Sequence, residues 1–262
     1  DSQRTLVNLK AIELMEYDAL AVGDDELNFG REFLEENIKK TKLSFLSSNI
    51  QSELFKPYLI KEIAGTRVGI IGLTTLSAMQ KAGGLKFLEP RVALKQAVEE
   101  LKKNKVDIII LLSHLGENED LGLIKEIEGI DIIIVGHGRA KEEPSTKVGS
   151  TLILRPSWQC RRLGKLSFKI KDKKIIDYKV EELRLSEEIS DDSSILSVLP
   201  RCFSDANCKK QGLLGICNDP GSINSRCLFS EATKINLLII SPKLCRVCNT
   251  ERMVNYLKTQ FP

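Results

Sequence analysis

Val106-Asp107-Ile108-Ile109-Ile110-Leu111-Leu112-Ser113-His114-Leu115-Gly116 opens a stretch that closes on Gly129-Ile130-Asp131-Ile132-Ile133-Ile134-Val135-Gly136-His137-Gly138-Arg139, and its reading decides the fold. Val106 to Leu112 is an unbroken β-branched and aliphatic run, the pattern of a strand buried on both faces. Ile130 to Val135 repeats that pattern. Between them, Glu119 to Ile127 has helical spacing, so the unit predicts strand, helix, strand with a right-handed crossover and a parallel pair. His114 and His137 then sit just past the carboxyl ends of neighbouring strands, the edge at which open α/β sheets bind ligands. Side-by-side imidazoles there make metal ligands or a catalytic pair. The alternative is two ordinary polar loop residues. Against it, the chain has no other His, and both stand in the same structural slot with glycine close by.

Working outward, the preceding segments prepare the same edge. Arg4 to Tyr17 reads as an amphipathic helix on Leu6, Leu9 and Ile12, and Asp18 to Val22 as a short strand. Gly23-Asp24-Asp25-Glu26-Leu27-Asn28-Phe29-Gly30 follows as a loop with glycine at both ends. Three consecutive carboxylates repel one another unless a positive partner sits among them, whether a metal, an Arg or a Lys. They also suit the N-terminus of a helix over Arg31 to Lys40. Leu43 to Ser48 is the next strand. Tyr58 to Ala64 and Arg67 to Leu73 predict a hairpin turned at Gly65-Thr66. Pro90 to Lys103 predicts a helix with Val92, Ala93, Ala97, Val98 and Leu101 as its buried stripe. After Arg139, Thr151 to Leu154, Gly164 to Ile170 and Lys174 to Leu183 read as strands of a second, antiparallel sheet.

Composition narrows the class. The chain has 262 residues, 29% of them charged, a net charge of +3 and 5% aromatic residues. Interleaved Lys and Glu form no basic stripe and the aromatics supply no stacking platform, which excludes a nucleic-acid partner. No apolar run is long enough to span a bilayer. The chain begins at Asp1 without Met, so a fragment or processed chain is expected. Cysteine usage breaks near Pro200: only Cys160 lies before it, whereas Cys202, Cys208, Cys217, Cys227, Cys245 and Cys248 lie after it. The expected division is therefore residues 1–185 as the main α/β domain, 186–231 as a linker helix with a cysteine-rich segment, and 232–262 as a βα unit.

The cysteine-rich segment has too little apolar periodicity to hold itself together by burial. Cys202, Cys208, Cys217 and Cys227 allow two disulfides or one four-thiolate zinc site. Their long, irregular spacing favours disulfides, and with them an oxidising, extracytoplasmic compartment. Thr233 to Ser241 reads as a buried strand, and Asn249 to Gln260 as a helix preceded by Cys245-Arg246-Val247-Cys248. A Cys at a helix N-terminus beside Lys243 and Arg246 has a lowered pKa and reacts as thiolate. Strand, Cys-x-x-Cys and helix resemble the opening of a thioredoxin-like domain, which implies a redox role for Cys245 and Cys248. The alternative is a buried or metal-bound pair.

The segment Leu14 to Gly30 resembles the Gly-Asn-His-Glu region of the calcineurin-like metallophosphoesterases, in the version carried by 5'-nucleotidases and UDP-sugar hydrolases. Phe45-Leu46-Ser47-Ser48-Asn49-Ile50 looks like the strand that follows it there. Leu112-Ser113-His114-Leu115-Gly116 and Gly129 to His137 are similar to the next two metal-binding segments, in the same order. The resemblance covers Arg4 to Leu183 and implies an αββα sandwich of two mixed sheets, here lacking its first strand or strands. It also implies a two-metal site that clamps a phosphate ester for in-line displacement. This chain departs from that pattern. The upstream Asp-x-His and Gly-Asp motifs are not in these 262 residues. The ligand Asn matches Asp24 and the catalytic His matches Asp25, while the last His ligand matches Arg139. One ion of Mn, Zn or Fe on Asp24, His114 and His137 is the most such a set predicts. An Arg in a ligand position can instead supply the charge a metal would, or hold an anion bidentately. Three expectations follow: a phosphoric ester hydrolase of little activity acting on a small phosphorylated or other anionic substrate, a non-catalytic anion-binding or scaffold relative, or a redox protein acting through Cys245 and Cys248.

Overall fold

The computed structural model describes residues 2–138, 143–157, 161–186 and 188–199, with short segments at 209–210, 213–214, 216–218 and 226–228. Two compact units divide the chain, the larger comprising Tyr17–Trp158 and Arg162–Leu183. Its strands are β1 (Leu20–Ala21), β2 (Phe45–Leu46), β3 (Ile50–Gln51), β4 (Tyr58–Ile63), β5 (Thr66–Thr74), β6 (Lys86–Phe87), β7 (Ile108–His114), β8 (Ile132–Val135), β9 (Ser145–Val148), β10 (Thr151–Leu154), β11 (Arg162–Lys171) and β12 (Lys174–Arg184). Numbering helices from α1 (Ser2–Leu14) in the smaller unit, those of the larger unit are α2 (Gly30–Ile38), α3 (Pro90–Lys103) and α4 (Glu117–Glu126).

A six-stranded mixed sheet in the order β4-β5-β7-β8-β10-β9 carries the core. β7 runs parallel to β5 and β8, with Thr74 opposite His114 and Ser113 opposite Val135. Residues Ile109, Leu111, Ile133 and Ile153 point to one face, where Leu94, Ala97, Val98 and Leu101 of α3 and Leu123 of α4 cover them. Val68, Ile108, Ile132 and Leu152 point to the other, against Leu166, Phe168, Ile170 and Ile175 of the β11–β12 hairpin. The fully buried Leu and Ile side chains among them, such as Leu101, Ile108, Leu111 and Ile133, each contribute about 2 kcal/mol by leaving water.

A second β layer, the parallel pair β1–β2, closes on that same face of β5. Gly72 fixes how closely. A Cβ built on it would stand 2.3 Å from the carbonyl oxygen of Leu46, so only a residue without a side chain lets the layers approach this far.

Several expectations are corrected. Thr151–Leu154 is not part of a separate antiparallel sheet: Leu152, Ile153 and Leu154 register in parallel with Ile132, Ile133 and Ile134 in the main sheet, because their aliphatic run is buried on both faces. On its other side Thr151–Leu154 pairs antiparallel with β9, Val148 opposite Thr151, and β11 and β12 form a two-stranded antiparallel hairpin apart from that sheet. Val92 is 48% exposed, since the face of α3 that meets the sheet is the one shared by Ala93, Leu94, Ala97, Val98 and Leu101. The β4–β5 turn is Ala64-Gly65, with Ile63 opposite Thr66.

In the smaller unit, α1 buries Val7 rather than Leu6, Leu9 or Ile12. α5 (Ser193–Ser197) is capped by Asp192, whose Oδ1 accepts from the Ser194 and Ile195 amides at 2.8 and 3.2 Å. The strands β13 (Lys209–Lys210) and β14 (Leu213–Leu214) pair, as do β15 (Ile216–Asn218) and β16 (Arg226–Leu228). Cys217 is buried and disulfide-bonded. Arg139, Cys160, Cys202, Cys208, Cys245, Cys248, the Thr233 to Ser241 strand and the Asn249 to Gln260 helix lie outside the described residues, as does the side chain of Cys227.

Because Leu46 is backbone at the contact and cannot swing aside, Gly72→Ala forces the layers apart. Overpacking of this kind is expected to cost about 3 kcal/mol, read as a lower midpoint in urea denaturation of the whole chain.

Candidate metal centre

The carboxyl ends of β5, β7 and β8 lie side by side, and the site is built on them. His114 is the last residue of β7. After β8 the ladder continues for one more bond, the Gly136 amide donating to the Ser113 carbonyl at 2.7 Å, which carries His137 alongside His114. The two rings meet edge to face with centroids 4.7 Å apart, and His137 Nδ1 lies 3.1 Å from His114 Nε2.

The third member comes from the other layer. Thr74, opposite His114 on β5, donates from Oγ1 to the Val22 carbonyl at 2.7 Å. That bond fixes the chain one residue before Gly23. Thr74's only hydroxyl proton is thereby used, so Ser47 Oγ at 2.8 Å is the donor to it. Asn49 grips the Thr74 backbone twice, accepting from its amide at 2.9 Å and donating to its carbonyl at 2.7 Å. All of Ser47, Asn49 and Thr74 are buried, so each polar atom needs these partners.

With Val22 held and Leu27 buried beneath the turn Asp25–Leu27, Asp24 faces the histidines. Asp24 Oδ1 is 2.9 Å from His114 Nε2. Gly23 lets this happen, because a Cβ there would stand 2.8 Å from His114 Cε1 and from Glu26 Oε2. Glu26 turns back to accept from the Gly23 amide at 2.6 Å and so takes no part in the cluster.

Asp24, His114 and His137 thus each bring one ligand atom within 4.8 Å of the others. His114 Nε2 faces a carboxylate oxygen and a second ring nitrogen at once, and with both imidazoles neutral a cation could accept a lone pair from each of the three groups. Two imidazoles and one carboxylate suit a divalent ion of the Zn, Mn or Fe kind, and three protein ligands leave coordination positions open. These are the donors for one ion among the described residues.

Charge around the cluster is set by a residue the sequence reading did not single out. Lys81 ends the 3-10 turn Leu76–Lys81 that follows β5, and its ammonium donates to Asp24 Oδ2 at 3.2 Å and lies 3.8 Å from Asp25 Oδ1. Partial burial on its own would push the Asp24 carboxyl up. The hydrogen bonds with His114 and Lys81 outweigh it and hold the group below the usual carboxylate range. Asp25, expected in a catalytic position, is largely exposed and accepts from Asn28 Nδ2 at 2.9 Å. The acidic run is therefore balanced by a lysine, one of the partners its sequence demanded.

Two further groups steady the histidine strand. Arg155, at the end of β10, takes Glu117 bidentately at 2.7 and 2.8 Å and ties the first turn of α4 to the sheet. Asp120, fully buried on α4, accepts from Ser113 Oγ at 2.5 Å. Ser113 Oγ in turn accepts from the Leu115 amide at 3.2 Å, so the backbone on both sides of His114 is held through one hydroxyl. Burial pushes the Asp120 carboxyl up to about 7, helped by Glu119 and Glu117 and opposed by the Ser113 hydrogen bond.

No known family model matches the chain. It is 28% identical to a 5'-nucleotidase of Vibrio cholerae over 187 residues, which cover 62% of this chain and 33% of that protein. A 5'-nucleotidase precursor from Thermus thermophilus superposes with a TM-score of 0.66 at 28% identity, over 71% of this chain and 42% of that one. The calcineurin-like phosphoesterase YfkN of Bacillus subtilis shares the fold, with a TM-score of 0.60 at 20% identity over 74% of this chain and 73% of that one. The chain spans less than half the length of the curated relatives it matches.

Gly23→Ala is expected to push the His114 ring off Asp24 and weaken Zn²⁺ binding by about tenfold or more, as supporting changes around metal ligands do, measured by calorimetric titration. Asp120 gives a pH signature. Its folded-state pKa of about 7 stands above the ordinary 3.8, so its stabilising contribution is complete in acid and is lost as pH rises through 7. Asp120→Asn, which cannot ionise, should gain on wild type between about pH 4 and pH 8, by ~4 kcal/mol at about 1.4 kcal/mol per pH unit, read from urea denaturation across that range.

Proposed function

We propose that the larger unit, whose mixed-sheet fold is that of the metallophosphoesterases, is a domain of the 5'-nucleotidase type and that this chain is a single-metal relative of the phosphoric ester hydrolases with weak turnover of small phosphomonoesters. The observation that carries the reading is the convergence of Asp24, His114 and His137 at the strand ends. A divalent ion held there would supply Lewis-acid charge to a phosphoryl oxygen. The protein's own contribution is to hold its three donors rigidly, through Thr74, Ser113 and the Gly136 amide.

Weak turnover follows from what stands beside them. Asp25 occupies the position that the resemblance gives to a proton-donating histidine. Its carboxylate already accepts from Asn28 and faces Lys81, which makes it an acceptor rather than a donor to a leaving oxygen. Arg139, outside the described residues, is proposed from the resemblance alone as a positive group in place of a last metal ligand, one that would add anion binding. The coordination of Asp24 by Lys81 also supports a second reading, a non-catalytic anion-binding relative. We place the chain outside the cytoplasm, on the strength of its cysteine-rich segment with a disulfide at Cys217. No helix among the described residues is long and apolar enough to cross a membrane.

Elemental analysis of freshly purified protein, beside hydrolysis of p-nitrophenyl phosphate with added Mn²⁺, tests this function. About one ion per chain is expected, lost in His114→Ala while circular dichroism shows the fold retained, with slow metal-dependent hydrolysis. Folded protein that takes up no metal and cleaves no ester would falsify the hydrolase reading.

A further inference from the structure

Lys81 is the only cation the described structure hydrogen-bonds to the Asp24–His114–His137 cluster. It reaches the cluster because the strand β5 that carries Thr74 opposite His114 runs directly into the turn Leu76–Lys81. Ala78, completely buried, anchors that turn, and Lys81 at its end returns to the sheet edge. An ordinary surface ion pair would use one carboxylate oxygen of an exposed acid. Here the ammonium takes Asp24 Oδ2 while His114 takes Oδ1, so the two oxygens of one carboxylate are divided between a metal-ligand histidine and a lysine. Side-chain exposure of 38% leaves the ammonium open to solvent, and its contacts with Asp24 and Asp25 at 3.2 and 3.8 Å leave a third N–H uncommitted.

We propose that Lys81 is the second positive charge of this site, borne by the protein: it tempers divalent-cation binding through Asp24 and binds the phosphoryl oxygens of the anionic ligand. This deepens, and rests on, the phosphomonoester reading above. The two halves of the role have opposite electrostatic signs. A fixed ammonium on Asp24 competes with an incoming cation for the same carboxylate and repels it. Toward a phosphate the same ammonium is attractive, and the N–H groups it does not spend on Asp24 are available to anionic oxygens.

That opposition makes the role measurable apart from activity. Lys81→Met, which keeps the length of the stem and removes the charge, should bind Zn²⁺ about tenfold more tightly, the effect of deleting a unit charge near a divalent one under water-like screening. The same variant, loaded with one equivalent of Zn²⁺, should bind inorganic phosphate about tenfold more weakly, the loss of one charge-assisted hydrogen bond. Lys81→Arg keeps the charge and should leave both constants near those of wild type. Both titrations are calorimetric, on the whole chain, with circular dichroism of each variant. Both constants unchanged in Lys81→Met, or both weakened together as by simple loosening of the site, overturn the proposal. If wild-type protein takes up no Zn²⁺, the metal reading of the preceding subsection falls by itself. Lys81 is then judged on phosphate titrated into the protein as purified: weaker binding in Lys81→Met supports it and equal binding overturns it.

Discussion

The hydroxyl of Thr74, donating across to the carbonyl of Val22, joins the two β layers at the one edge where chemistry is assembled. Everything at the site inherits its position from that bond and from the parallel register beside it. Thr74 faces His114 on the neighbouring strand, and Ser113 faces Val135 on the next, so three strand ends are level. The bond places Gly23 one residue from a fixed point, and Asp24 follows. A buried polar contact of this kind contributes only about 1 kcal/mol net but costs more if left unmade, which is why Ser47 and Asn49 complete the network around it.

Close approach of the layers is the second condition, and it is met by absence of side chain. Gly72 lets the Leu46 backbone lie against β5, and Gly23 lets the His114 ring lie against the acidic loop. The same chain that packs Leu and Ile against α3 and α4 on one face therefore leaves small and hydroxylated residues on the other, at Gly72 and Thr74. Packing and site geometry are two results of one alternation along β5.

Electrostatically the site is a compact arrangement of one carboxylate between two nitrogens of different kinds. His114 holds Asp24 from one side and Lys81 from the other, and together they outweigh the penalty of partial burial. Among the described residues Asp24, His114 and His137 provide donors for one ion, with the Lys81 ammonium on the remaining oxygen of the same carboxylate. Behind the histidine strand, Asp120 works in the opposite regime, with burial the stronger effect and a carboxyl that titrates near neutrality.

The sequence by itself determined the alternation of helix and strand, the parallel pair that brings His114 beside His137, and the acidic Gly23 loop as their partner. Those features rest on local periodicity: continuous aliphatic runs such as Ile108 to Leu112 announce doubly buried strands, and the only two histidines follow two of them. Tertiary structure decided what periodicity cannot carry. Thr151–Leu154 joined the main sheet because strand pairing depends on which edge is vacant beside β8, not on the residues of the strand alone. Lys81 came to Asp24 across 57 positions of sequence, and Thr74 to Val22 across 52. Nothing in the residues near Lys81 or Thr74 signals such a partner, since a side-chain hydrogen bond depends on the path of the whole backbone between its two ends.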